Sequence, residues 1–303
     1  MKPLQKIYHS NGKLLLTGEY LVLKGALSLA VPTVYGQDMQ VDSIPEKLVR
    51  WTSYDLNQDS WFAKEFKLPL DTTSIRNDTE QLLLQLLQYA QKHNPNLFSS
   101  NKGYTISTHL DFPAYWGLGT SSTLINNIAQ WAQIDAYDLL LHTLGGSGYD
   151  VACAQHDKPI IYQLKEGKPL MREVDFYPDF SDQLYFVYLN KKQVTRQEIK
   201  RFYKGEQDWS VEIQAVSAIT RELIHCTAMD DFGKLLYEHE RILSIVLNRP
   251  TVQKALFQDY FGQIKSLGAW GGDFILATGN EDTPSYFKKR GYNTVLLYDE
   301  ILL

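Results

Sequence analysis

A glycine-rich break between a strand and a helix constrains this chain more than any other feature. Residues 104–110 alternate Tyr104, Ile106 and Thr108 against Thr105, Ser107 and His109, which is the period of a strand. After Pro113 the chain reads Gly117-Leu118-Gly119-Thr120-Ser121-Ser122, and a helical pattern then runs from Ser121 to Gln133. Glycine lets a backbone take positive φ and approach a ligand. The helix that follows presents unpaired N–H groups and the positive end of its dipole, which suits a phosphate. Thr120, Ser121 and Ser122 add hydroxyls able to bond phosphate oxygens or ligate Mg²⁺. The plainer reading is a glycine turn with a serine N-cap, and the string alone does not choose between them.

Other nucleotide signatures fit worse. A dinucleotide fingerprint needs a third glycine where Ser122 stands, and a P-loop needs a Gly-Lys-Ser/Thr that the chain lacks. Protein-kinase catalytic-loop motifs are also absent.

Three more segments carry chemistry-bearing residues beside glycine. In Gly145-Gly146-Ser147-Gly148-Tyr149-Asp150, Asp150 could accept a proton from a substrate hydroxyl, or simply cap a helix. Tyr149 sits where a serine-hydrolase elbow needs glycine, which excludes that motif. In Asn11-Gly12-Lys13-Leu14-Leu15-Leu16-Thr17-Gly18-Glu19-Tyr20, Lys13 taken alone reads as a solvated lysine at a strand edge. Lys265-Ser266-Leu267-Gly268-Ala269-Trp270-Gly271-Gly272-Asp273 is a tight loop leading into a strand.

Around these segments the chain is strand-rich first and helix-rich later. Strands are expected at 14–16, 28–35, 39–42, 48–53, 104–110, 159–163, 184–189, 273–277 and 293–298. A helix is expected over 78–93, with Asp78 able to cap it, and helical pattern dominates 194–260. This order argues for an α+β fold of two lobes, 1–178 and 179–303, divided near Pro178. The net charge of -5 tells against a nucleic-acid partner, and no stretch approaches the ~20 apolar residues of a membrane span. Cys153 and Cys226 are expected as buried thiols in a reducing cytoplasm, and the first residues lack the apolar core of a signal peptide.

Taken in order, the four segments resemble the GHMP kinases, named for galactokinase, homoserine, mevalonate and phosphomevalonate kinases. Gly12 to Gly25 is similar to the opening motif of the mevalonate and phosphomevalonate branch, and Pro113 to Ser122 to the nucleotide loop. Ser147 to Ala152 is similar to the segment with the catalytic aspartate of mevalonate kinases. Gly268 to Asp273 resembles the third glycine loop, its aspartate most like phosphomevalonate kinases.

The resemblance implies an N-terminal lobe with a left-handed βαβ unit and a ferredoxin-like C-terminal lobe, with substrate between them. It implies ATP on Gly117, Leu118, Gly119, Thr120, Ser121 and Ser122, with Mg²⁺ held in part by Ser121. Asp150 and Lys13 would be catalytic, facing a hydroxyl of the substrate. Glu19, Ser147, Gly148, Gly268, Ala269, Gly271 and Gly272 would line the substrate side. Lys191, Lys192 and Arg196 are candidates for a substrate phosphate, or a solvated basic loop. The implied activity is phosphoryl transfer from ATP to mevalonate or phosphomevalonate. The alternatives are a diphosphomevalonate decarboxylase and a non-catalytic nucleotide- or metabolite-binding homologue, and a homodimer is open.

The sequence departs from the family at two informative places. Leu139 stands where mevalonate kinases keep a Mg²⁺-binding glutamate, and Trp270 replaces a glycine of the third loop. The indole has two fates, trimming the substrate pocket or packing as core. Trp270→Gly is expected to alter substrate preference more than stability.

Overall fold

The computed structural model describes residues 6–72, 75–99, 102–191 and 207–303. The chain forms two compact units, each made of three segments. The first comprises Met1–Gly12, Tyr35–Ala114 and Gly119–Gln155, the second Lys13–Val34, Tyr115–Leu118 and His156–Leu303. A cut near Pro178 divides the chain once, whereas these units interleave along it.

Strand β1 (Lys6–Leu15) pairs with β2 (Ser28–Ile44), and both run from one unit into the other. The stretches 28–35 and 39–42, expected as two strands, are one 17-residue strand. Gly36 does not break it. A Cβ at Gly36 would collide with the Ser10 carbonyl and the His9 ring, so this glycine permits a close crossing and not a turn.

In the first unit, β2 beyond Gly36 runs antiparallel to β5 (Gly103–Leu110), from Gln37↔Leu110 to Ile44↔Gly103. Strand β5 lies parallel to β3 (Leu48–Tyr54), which pairs antiparallel with β4 (Ser60–Lys67). A parallel pair needs a long crossover, and β4 with helix α1 (Asp78–His93) supplies it. The side chain that caps α1 is Asn77, not Asp78. Asn77 is extended at φ -152 and its Oδ1 accepts from the Glu80 N–H at 2.9 Å, whereas Asp78 is already helical. Leu83, Leu84, Leu86 and Leu87 of α1 pack with Val49, Trp51 and Ile106 of the sheet. Helices α2 (Thr120–Ala132), α3 (Ala136–Thr143) and α4 (Tyr149–Ala154) complete this core through Ile125, Ile128, Leu139, Leu140 and Val151.

In the second unit, Ser28 to Ala30 of β2 pair with β6 (Ile160–Lys165). Strands β6 and β7 (Lys168–Glu173) form a hairpin whose two turn residues, Glu166 and Gly167, both have positive φ, as a tight hairpin turn demands. A four-stranded antiparallel sheet has the order β11 (Val295–Leu297), β8 (Leu184–Tyr188), β10 (Phe274–Thr278), β9 (Ile264–Ser266). Helices α5 (Ser210–Ile224), α6 (Met229–Leu247) and α7 (Val252–Leu256) occupy the described part of the helix-rich stretch. Helices α8 (Thr283–Lys288) and α9 (Tyr298–Ile301) follow. This mixture of a mixed sheet, an antiparallel sheet and packed helices is the expected α+β class. Cys153 is buried as expected, but Cys226 is only half-buried, at the end of α5. Among the described residues no helix is long and apolar enough to cross a membrane.

Candidate functional site

The N-terminus of α2 belongs to the first unit. Gly119 is its N-cap at φ 99, a left-handed conformation that a β-carbon would strain, and no side chain caps the helix. The Thr123 N–H closes the first helical bond onto the Gly119 carbonyl. The N–H groups of the first turn, which include those of Thr120, Ser121 and Ser122, have no intrahelical acceptor. The Ser122 hydroxyl turns back to the Gly119 carbonyl at 2.9 Å and is buried, while Ser121 is exposed. Of the three hydroxyl residues, Ser121 is therefore the one turned to solvent. Thr123 donates to Gln37 Oε1 at 3.0 Å, and Asn127 to the Gln37 carbonyl at 2.8 Å, which fixes α2 on β2. The cradle suits the phosphates of a nucleotide.

Asp150, in the same unit, lies in the first turn of α4 behind Gly148 at φ 83. Its carboxylate accepts from the Val151 N–H at 3.0 Å and remains half-exposed. It is not the N-cap, which is Gly148, and Ser147 and Gly148 are themselves buried. Leu139 is fully buried in the apolar core, and Asp138 beside it is exposed. Among the described residues no three His, Cys, Asp or Glu side chains group as metal ligands. Of the Mg²⁺ donors that the resemblance implies, the Ser121 hydroxyl is present and exposed, and the glutamate position is taken by the buried Leu139.

The second unit holds Lys13 and the segment just before Gly119. Near the end of β1, the Lys13 N–H donates to the Leu118 carbonyl at 2.9 Å, and Nζ donates to the Gly117 carbonyl at 3.1 Å. Half-buried and tied twice to one loop, this is no freely solvated edge lysine. Tyr188 anchors the same loop through the Tyr115 carbonyl at 3.2 Å, and Trp116 stacks edge-on against Phe274. Gly117 has φ 74, and a Cβ there would lie 2.7 Å from the Asp273 carboxyl. Asp273 is itself left-handed at φ 52, held by its N–H to the Lys191 carbonyl and by the Leu189 N–H to its own carbonyl, both 2.8 Å. So Lys13, Gly117, Leu118 and Asp273 come together. Lys191, beyond the end of β8, is exposed; Lys192 and Arg196 lie outside the described residues.

The third glycine loop has Gly268 at φ 68 and Gly271 at φ 76, with Ala269 and Gly272 buried. Trp270 takes the core fate. It is buried among Tyr20, Leu21, Val216, Ile219, Ile242, Leu243 and Val246, and its indole N–H donates to the Pro250 carbonyl at 3.0 Å. Of the two fates the sequence left open, burial gives the core one, which runs against the expectation that Trp270→Gly alters substrate preference more than stability. Its backbone N–H donates to the Tyr20 hydroxyl at 2.8 Å.

Glu19 is likewise buried, ion-paired to the fully buried Lys265. Burial raises the Glu19 carboxyl and Lys265 opposes the rise. His239 Nε2 accepts from the Gly18 N–H at 2.9 Å and lies 3.6 Å from Glu19; burial, then Lys265, hold this imidazole well below its ordinary range. Glu240 is also buried, and burial pushes its carboxyl up to about 8. The sequence reading missed His239 and Glu240. The signal was present: both sit on the stripe of Phe232, Leu236 and Leu243, where an amphipathic helix should be apolar.

No protein-family model and no curated protein matches the sequence. Solved structures match the fold. The mevalonate kinase of Methanococcus jannaschii aligns with 98% of this chain and 98% of its own, at a TM-score of 0.70 and 16% identity. The Streptococcus pneumoniae phosphomevalonate kinase, in complex with phosphomevalonate and AMPPNP, aligns over 96% and 99%, at 0.71 and 14%. A Lactococcus lactis galactokinase complexed with galactose aligns over 98% and 93%, at 0.68 and 13%. The chain has the fold of the GHMP kinases.

Proposed function

We propose that this chain is an ATP-dependent kinase of a small alcohol or phosphate, with mevalonate and phosphomevalonate as the leading substrates. The observation that carries the reading is Lys13. Its ammonium is tied to the Gly117 carbonyl, in the loop that leads through Leu118 into the uncapped N-terminus of α2. Phosphoryl transfer is mostly positioning and charge neutralisation. The first-turn N–H groups of α2 would hold the nucleotide phosphates, and Lys13 would neutralise charge on the transferred group. Asp150 would accept or orient the proton of the substrate hydroxyl. Two relatives in fold are named with phosphomevalonate and with galactose, which supports a small-molecule substrate without choosing one.

One observation favours a second reading. Leu139 is buried core where the resemblance implies a metal-binding glutamate, which favours a nucleotide- or metabolite-binding homologue without turnover. ADP release from ATP, measured against mevalonate, phosphomevalonate, homoserine and sugars, tests both. Turnover with one alcohol supports the kinase. Nucleotide binding without ADP release supports the binder, and carbon dioxide release from diphosphomevalonate would mean a decarboxylase.

A further inference from the structure

Among the described residues of the second unit, a group of buried charge lies outside the groups assigned to phosphoryl transfer. Glu19, His239, Glu240 and Lys265 are each at most 3% exposed. Lys265, on β9, donates to Glu19 and to the Ser266 carbonyl at 2.8 Å. His239 has its Nε2 lone pair committed to the Gly18 N–H, so it is the neutral tautomer with its proton on Nδ1. Among the described residues neither oxygen of Glu240 has a partner at full hydrogen-bond geometry, and the Ser266 backbone is the one polar group that favours its charge from close by besides Lys265. An ionised carboxylate buried without a partner is far costlier than a neutral acid. With Lys265 and Glu19 charged and His239 neutral, the cluster balances only if Glu240 keeps its proton.

The cluster holds a segment that local geometry leaves under strain. Tyr20 has φ 63 and ψ -50, and the Leu21 N–H closes onto the Glu19 carbonyl at 2.7 Å. That is a γ-turn of the rare positive-φ kind, which persists only when its surroundings hold it. Here they do so from three sides. Lys265 grips Glu19, His239 grips Gly18, and the Tyr20 hydroxyl receives the Trp270 N–H.

We propose that Glu240 is a positioning residue: as a neutral acid it leaves Lys265 wholly to Glu19, and that pair latches the turn after Lys13 onto the root of the third glycine loop. Any part of this latch in phosphoryl transfer rests on the kinase reading above; the latch itself does not. Loss of the Glu240 proton sets a second carboxylate in competition for Lys265, and the turn is released. The groups facing Glu240 are Lys265, which favours its ionisation, Glu19, which opposes it, and the Ser266 backbone, which favours it.

The test is stability against pH for the wild-type chain and Glu240→Gln. The unfolded carboxyl titrates near 4.5 and the folded one near 8. Between these values the folded state holds a proton that the unfolded state does not, so wild-type stability falls as pH rises. Glu240→Gln lacks this proton. Its melting temperature should gain on wild type from pH 5 to pH 8 and then run parallel. A gap that stays constant across this range overturns the proposal.

Amide exchange reads the latch directly. At pH 9 the Leu21 and Trp270 N–H groups should exchange faster in wild type than in Glu240→Gln, and equally at pH 6; equal exchange at both overturns it. If Glu240→Gln does not fold, infrared spectra of the wild-type chain decide. A protonated-carboxyl band that vanishes as pH rises through about 8 supports the proposal, and no such band overturns it. None of these readouts needs substrate, so an absence of ADP release would sink the kinase reading and leave this one standing.

Discussion

The N-terminus of α2 and the third glycine loop look alike in sequence, short glycine runs flanked by hydroxyl or charged residues, and they end in opposite states. At α2, Gly119 caps without a side chain, the first-turn N–H groups keep no partner in the helix, and Ser121 faces solvent. At the third loop, Trp270 is core, the Gly271 N–H donates to Ser266 Oγ, the Gly272 N–H to the Ala269 carbonyl, and Lys265 is spent on Glu19. Glycine gives both segments their positive φ. What separates an open cradle from a packed knot is where the bulky and charged neighbours go.

That contrast is exposed to experiment, and the largest effect belongs on the open side. Asp150→Asn should cut turnover by about 10²–10⁴ while leaving nucleotide affinity near normal, the range for a positioned acid–base group. Steady-state rates with an ATP titration check it, and an unimpaired rate removes Asp150 from the chemistry. On the packed side, Trp270→Gly should destabilise by about 3–5 kcal/mol, as emptied aromatic sites do, with substrate preference unchanged. Denaturant melts and a substrate panel on one preparation decide it. A preference that moves while stability holds would return Trp270 to the ligand.

Gly117→Ala bears on the end of the third loop, since its Cβ would meet the Asp273 carboxyl. The left-handed φ alone should cost about 1–2 kcal/mol. Adding Asp273→Gly, which suits φ 52, should restore part of the loss; strict additivity in the double-mutant cycle would mean the two residues do not touch. The smallest effect lies away from both regions. Asn77→Ala should cost about 1 kcal/mol and Asp78→Ala less, because only Asn77 accepts from the Glu80 N–H.

Local pattern carried much of the fold. The span of α1 agrees to the residue, because its leucines recur at helical spacing and its ends are polar. Strand β4 was missed for a physical reason. Phe62, Lys64 and Phe66 share its inward face, and the lysine spoils the apolar alternation. Its charge is met by Glu80, at 2.7 Å across to α1, a partner no local window contains. Gly36 misled in the opposite sense, since glycine marks a turn and a close crossing alike. Around the candidate site, the glycine turns before α2 and α4 were legible, and so was a lysine beside glycine; that Gly119 and Gly148 are themselves the caps, in place of a serine and Asp150, was not. That Lys13 grips Gly117, 104 residues away, was not. Nor was the sharing of Lys265 by Glu19, because both partners of a buried ion pair look like surface residues until the fold brings them together.

The interleaving of the units sets an order of events during synthesis. All three segments of the first unit are made once Gln155 has left the ribosome. The stretch Lys13–Val34 is made early and belongs to the other unit. Its partners come late: Thr220 for Thr17, His239 for Gly18, Lys265 for Glu19, Trp270 for Tyr20. At ~5–20 residues per second, that wait lasts on the order of ten seconds or more. Throughout it, the turn that follows Lys13 has nothing to hold its γ-turn, and Leu21 and Val22 have no core to enter. A nascent chain stalled between residues 160 and 260 should therefore be the form that chaperones bind and proteases cut.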